Sequence, residues 1–163
     1  MQMKFGKSRA LVVIDVQEKY IRKYEESLLS RINKAIQAAE SRQEYIIYVK
    51  NTKCLRRGKE TDEFAEGLLV LSGFVFCKEQ ANAFECEDLA EFLHKNGIQE
   101  VDIIGIDGNS CIAASAVGAK RCGYDVSLLA ECIGVCNASR FEKTKAMLEE
   151  KGILFNTING FAK

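Results

Sequence analysis

The chain has 163 residues, the size of one ordinary domain spanning 1–163, and 47% of them are hydrophobic, enough to build a full core. That excludes a mostly disordered chain, and the exact balance of 23 basic and 23 acidic residues lacks the basic excess of a nucleic-acid binder. No apolar run reaches the roughly 20 residues that a bilayer span needs, and residues 1–9 are too short and polar for a signal peptide, so a cytoplasmic protein that binds neither nucleic acid nor membrane is expected.

In chain order, residues 10–15 form an apolar, β-branched run that ends in a carboxylate, Asp15. Such a run suits a parallel strand covered on both faces. After a polar stretch, residues 27–42 place Leu28, Ile32, Ala35, Ile36 and Ala39 on one helical face. Residues 45–49 read as a second strand, and 64–71 as a short helix. Residues 73–77 read as a third strand, stopping at Lys78. Leu89, Phe92 and Leu93 mark a helix that closes at Asn96-Gly97. A fourth strand at 101–106 is followed by Asp107-Gly108-Asn109 and an Ala- and Ser-rich helix over 110–122. A fifth strand occupies 124–129. Asn137 caps a last helix running to Gly152, and 153–158 is the sixth strand. With no proline in the chain, Gly and Asn/Asp/Ser clusters do all the punctuation. Strands alternating with helices predict a doubly wound α/β structure with a mostly parallel sheet of about six strands.

Ligands of such sheets bind outside the carboxyl ends of the strands, at the point where strand order reverses. Three reactive side chains fall there by position: Asp15 ends the first strand, Lys78 ends the third, and Cys111 opens the helix after the fourth. Singly, each has an ordinary structural explanation; together they make a nucleophile site. A thiolate is favoured at a helix N-terminus and beside a cation, so Lys78 and the helix are expected to lower the Cys111 pKa against the opposing effect of Asp15. Asp15 is suited to take the thiol proton and return it to a leaving group. Gly108 and Asn109 permit unusual backbone angles ahead of the helix, where free N–H groups suit a developing oxyanion. The other six cysteines lack this setting and are expected to be mostly small buried residues. There is no Cys-x-x-Cys, and the lone histidine, His94, lies beside the apolar stripe of a helix, so no metal site and no cofactor are expected.

These segments resemble the isochorismatase-like cysteine hydrolases. Val12-Val13-Ile14-Asp15-Val16-Gln17 is similar to that family's opening, and Cys77-Lys78 through Ala83-Phe84 to its lysine segment. Gly105-Ile106-Asp107-Gly108-Asn109-Ser110-Cys111-Ile112 is similar to its nucleophile segment, and Gly123-Tyr124-Asp125-Val126 to the usual continuation. The likeness runs from about residue 10 to residue 137 with order and spacing kept. It implies a Rossmann-like three-layer α/β/α sandwich and a catalytic triad of Asp15, Lys78 and Cys111. It also implies a cis peptide bond before Asp107, an oxyanion hole made by the backbone N–H groups of Asp107 and Cys111, and assembly into dimers or tetramers.

The departures also carry information. Family nicotinamidases hold a metal with an Asp and histidines, a set that one histidine cannot supply. The family's Thr is Gly108 here, and its usual small residue is Asp107, whose carboxylate would raise the thiol pKa if it pointed inward. Tyr20 and Phe84 are expected as substrate-binding pocket walls, with core packing as the alternative. Arg56, Arg57 and Lys59 read as a solvated charge run or as contacts to an anionic substrate. True isochorismatases in the family cleave a vinyl ether without needing the cysteine, so Cys111 favours the amidase-like branch: hydrolysis of a C–N bond in a small amide or ureido compound through a thioester. A non-enzymatic oligomeric binding protein on the same fold, and a redox-active thiol protein, are the alternatives.

Overall fold

The computed structural model describes residues 8–52 and 62–158. Its strands are β1 (Ser8–Ile14), β2 (Tyr45–Asn51), β3 (Val75–Lys78), β4 (Ile98–Ile106), β5 (Asp125–Gly134) and β6 (Leu154–Asn156). The helices are α1 (Glu18–Ile21), α2 (Ser27–Ser41), α3 (Glu87–Lys95), α4 (Cys111–Arg121) and α5 (Ala138–Glu150), with a 3-10 turn at Ala83–Glu85. All six strands pair in parallel in the order β3-β2-β1-β4-β5-β6. Strand order reverses between β1 and β4, which opens the crevice that this topology offers to ligands.

The apolar run of β1 is continuous because both of its faces are covered. Ala10, Val12 and Ile14 enter one core with Leu89 and Leu93 of α3, Ile112, Ala116 and Ala119 of α4, and Leu148 of α5. Leu11 and Val13 point the other way, into a second core with Leu28, Ile32, Ala35, Ile36 and Ala39 of α2. The result is the expected three-layer sandwich. Asn137 caps α5 as expected, its side chain accepting from the Arg140 N–H. Among the described residues no helix is long and apolar enough to cross a membrane.

Two local expectations are corrected. Residues 64–71 are not a helix. Phe64 forms an antiparallel bridge with Gln17 and stacks on Tyr48, whose hydroxyl donates to the Leu69 carbonyl and accepts from the Leu71 N–H. Tertiary hydrogen bonds to β2 and to the segment after β1 therefore replace helical ones. Strand β5 runs five residues further than its apolar pattern indicates, because a register shift against β4 interrupts the alternation and exposes Ala130 and Glu131 before pairing resumes at Ile133.

Candidate active site

Each of the three reactive side chains is delivered by a separate strand end. Asp15 follows β1 with a left-handed backbone (φ 57°), held by its N–H donating to the Val49 carbonyl at 2.9 Å and its carbonyl accepting from the Gln17 N–H at 2.8 Å. A non-glycine residue persists there only where its surroundings fix it. Gln17, fully buried, supplies much of that fixing: its side-chain amide donates to the Asn51 carbonyl and accepts from the Asn51 N–H, tying the end of β1 to the end of β2. Lys78 is the last residue of β3. The segment after it docks on α4, where Ser115 accepts the Ala83 N–H at 2.9 Å, and Lys78 Nζ donates to the Gln80 carbonyl at 2.9 Å. Cys111 is the first residue of α4.

The three side chains meet. Lys78 Nζ lies 3.2 Å from Asp15 Oδ2 and 3.3 Å from Cys111 Sγ. The Lys78 and Asp15 side chains are only 2% and 4% exposed, so this is a buried ion pair with a thiol on its open side. Asp15 Oδ1 is buried and has no hydrogen-bond partner among the described residues.

The electrostatics depart from the sequence expectation for the thiol. Burial, and after it the Asp15 carboxylate, push the Cys111 pKa above that of a free thiol, and Lys78 only partly offsets them. The expectation of a lowered pKa weighed Lys78 and the helix end but not the desolvation. Burial also raises Asp15, against the pull of Lys78. Both shifts favour the protonated thiol and a more basic carboxylate, two groups between which a proton can pass.

The Ile106–Asp107 peptide bond is cis, as the resemblance implies. Neither the Asp107 nor the Cys111 N–H donates a hydrogen bond among the described residues. The Asp107 carboxylate does not face the thiol unpaired: Oδ1 accepts from the Asn109 N–H at 2.8 Å, and Oδ2 from the Tyr24 hydroxyl at 2.9 Å and the Cys136 N–H at 3.0 Å. It ties together three segments that border the site. Gly108 is needed for space and not for unusual torsions, since a Cβ there would stand 2.7 Å from the Phe141 ring and 2.8 Å from Val135. Phe141 and Val135 fill the room that a threonine side chain would take.

A cavity of about 410 Å³ opens over Cys111, lined among others by Asp15, Tyr20, Tyr24, Asn51, Asp107 and Cys136. Tyr20 stands in its wall as expected. Phe84 does not: it is 6% exposed, packs in the core against Tyr124 with ring centroids 5.8 Å apart, and does not border the cavity. The 3-10 turn that docks on α4 directs it inward. Arg56, Arg57 and Lys59 lie outside the described residues, as does Cys54. Of the six described cysteines, all free, only Cys132 is fully buried, and Cys77, Cys122 and Cys136 are exposed, contrary to the expectation of mostly buried thiols. His94 is exposed near the end of α3, away from the cavity, and among the described residues no three His, Cys, Asp or Glu side chains cluster to hold a metal ion.

Fold and site together define a doubly wound α/β protein with a thiol, a carboxylate and an ammonium gathered at the switch point of its sheet. A family model described as Isochorismatase domain matches residues 9–155, and the chain belongs to that family. Over 83 residues it is 34% identical to maleamate amidohydrolase from Pseudomonas putida, a match covering 50% of this chain and 39% of that enzyme, so the chain spans well under half of that relative's length. An isochorismatase family protein from Desulfovibrio vulgaris superposes with a TM-score of 0.85 at 16% identity, covering 96% of this chain and 97% of that one. The zinc-bound pyrazinamidase of Pyrococcus horikoshii superposes with a TM-score of 0.78 at 22% identity, covering 92% and 99%. At such identities the structural likenesses establish the fold. The donor set around this cavity, without an imidazole, does not fit the aspartate-and-histidine metal site of family nicotinamidases.

Proposed function

We propose that the protein is a cysteine hydrolase that cleaves the C–N bond of a small amide or ureido compound through a thioester on Cys111. The observation that carries this is the buried Asp15–Lys78 pair in direct contact with the Cys111 thiol at the floor of a cavity. The similarity to maleamate amidohydrolase supports the amide branch.

Asp15 accepts the thiol proton as Cys111 Sγ attacks the carbonyl carbon. The N–H groups of Asp107 and Cys111, which have no other acceptor among the described residues, hold the oxygen that becomes negative. Asp15 then gives its proton to the departing nitrogen, and ammonia or an amine leaves. Water, deprotonated by Asp15, attacks the thioester; the acid is released and the proton returns to the Cys111 sulfur. Lys78 stays charged throughout, fixing the carboxylate and stabilising the sulfur anion as it forms. The test is a panel of small amides and ureides assayed for released ammonia. Turnover that disappears in Cys111→Ala is expected; turnover that persists there, or no turnover across the panel, counts against this reading.

A further inference from the structure

Asp107 accepts hydrogen bonds on every oxygen it has. Its carbonyl accepts from the N–H groups of Ser110 and Ile112, each at 3.1 Å, at the start of α4. Its carboxylate accepts from the Asn109 N–H, the Tyr24 hydroxyl and the Cys136 N–H. Five donors thus converge on one residue. Its own N–H, one of the two that face the developing oxyanion in the chemistry above, is the polar group it leaves open among the described residues.

The donors come from three directions. Asn109, Ser110 and Ile112 belong to the turn into α4 and its first turn. Cys136 lies between β5 and α5, Tyr24 lies between α1 and α2, and both border the cavity. The next two residues are tied to the β5 and α5 side: the Gly108 N–H donates to the Gly134 carbonyl at 2.9 Å, Asn109 Nδ2 donates to the Asn137 carbonyl at 3.1 Å, and Asn109 Oδ1 accepts from the Thr144 hydroxyl at 2.7 Å. The Asp107 carboxylate adds the opposite side, through Tyr24. Burial raises the Tyr24 pKa, so that hydroxyl keeps its proton and stays a donor. Hydrogen bonds to a carboxylate are roughly twice as strong as neutral ones, so this side chain grips both cavity walls in a way that a small residue there does not.

We propose that the Asp107 side chain is a positioning residue for the reaction: by gathering Tyr24, Asn109 and Cys136 it fixes its own backbone N–H where the oxygen of the attacked carbonyl becomes negative. This rests on the hydrolase reading for the reaction itself, but the oxyanion position can be probed without turnover. The Cys111 thiol adds across the C=O bond of acetaldehyde: an S–C bond forms, the thiol proton passes to the oxygen, and that oxygen takes the place of the oxyanion. Iodoacetamide alkylates the same sulfur with loss of iodide and develops no oxyanion. The acetaldehyde concentration that half-protects Cys111 from iodoacetamide is read by mass spectrometry on the full chain, beside the alkylation rate without aldehyde. Asp107→Asn keeps the shape but has one acceptor oxygen, which serves either Asn109 or the Tyr24 and Cys136 side. It is expected to raise the half-protecting concentration about tenfold or more, with alkylation unchanged or faster; a merely loosened site would not separate the two reagents. Tyr24→Phe, which removes one donor and leaves the carboxylate, is expected to raise it about two- to tenfold, and thermal melts check that both variants fold. With active enzyme, both should lower kcat at nearly constant KM, the mark of an interaction made only in the transition state. Half-protecting concentrations unchanged in both variants overturn the positioning role even if amides are hydrolysed, and so does an absence of protection in the wild type. Protection that weakens in the variants, with no amide hydrolysed by the wild type, supports the positioning role and counts against the hydrolase reading instead.

Discussion

Replacing Asp15 by Asn should make Cys111 more reactive and the enzyme inactive. The side chain keeps its shape, but the charge 3.2 Å from Lys78 Nζ disappears. The second-largest influence holding the thiol pKa up goes with it, and Lys78, 3.3 Å from the sulfur, loses its counter-ion. Two unit charges at that distance interact by about 5 kcal/mol at an effective dielectric of 20, which is an upper limit on what Lys78 contributes once unpaired. Opposite charges at close range typically move a pKa by about one to three units. Each unit raises the thiolate fraction about tenfold and lowers its intrinsic nucleophilicity about threefold. Iodoacetamide should then label Cys111 about 3- to 30-fold faster at pH 7 than in the wild type, while ammonia release falls to background because no base remains to shuttle the proton. Labelling rates by peptide mass spectrometry, with thermal melts to confirm folding, measure both. Slower labelling in Asp15→Asn, or retained turnover, would refute the assignment of Asp15 as a base that holds the thiol protonated at rest.

Three further outcomes follow from the same geometry. In the pH profile of kcat/KM, the acid limb reports Asp15 and should have its midpoint above the roughly 3.9 of a free aspartate, because burial raises it; a midpoint at or below that value contradicts the buried pair. Asp102, 1% exposed in β4 beside Arg9, has its pKa raised to about 7, chiefly by burial. The unfolded chain releases this proton first, so stability should fall as the pH rises from about 4 to 7, by at most roughly 4 kcal/mol, and denaturant melts of Asp102→Asn should show a flatter dependence. Gly108→Thr should destabilise by about 1–3 kcal/mol through overpacking against Phe141 and Val135; Phe141→Leu in the same chain should recover part of that loss, and the pair of melts checks it.

Much of this arrangement was legible in the sequence because a parallel sheet imposes strong local signatures. Buried strands read as apolar runs, and the residues at their carboxyl ends, Asp15 and Lys78, stand out by polarity alone. Cys111 stood out by its place at the start of a helix after a strand. What escaped depends on contacts between segments. Tyr24, Cys136 and the triple anchoring of Asp107 come from the meeting of three connections, and no local pattern marks them. Phe84 is as apolar as a pocket wall and as a core residue; docking of Ala83 on Ser115 decides which. The pKa of Cys111 could not be signed correctly without its burial, which outweighs the charges that the sequence does reveal.

The acyl-enzyme is the most direct object to measure. Enzyme mixed with a hydrolysed amide, quenched in acid within milliseconds and digested, should show the peptide containing Cys111 heavier by the acyl group. Hydroxylamine added during turnover should divert product to the hydroxamate. An acyl mass on Cys111 that forms and decays at rates matching kcat is the result that the cysteine mechanism requires. Turnover with no acyl mass on any cysteine, and undiminished in Cys111→Ala, would contradict it.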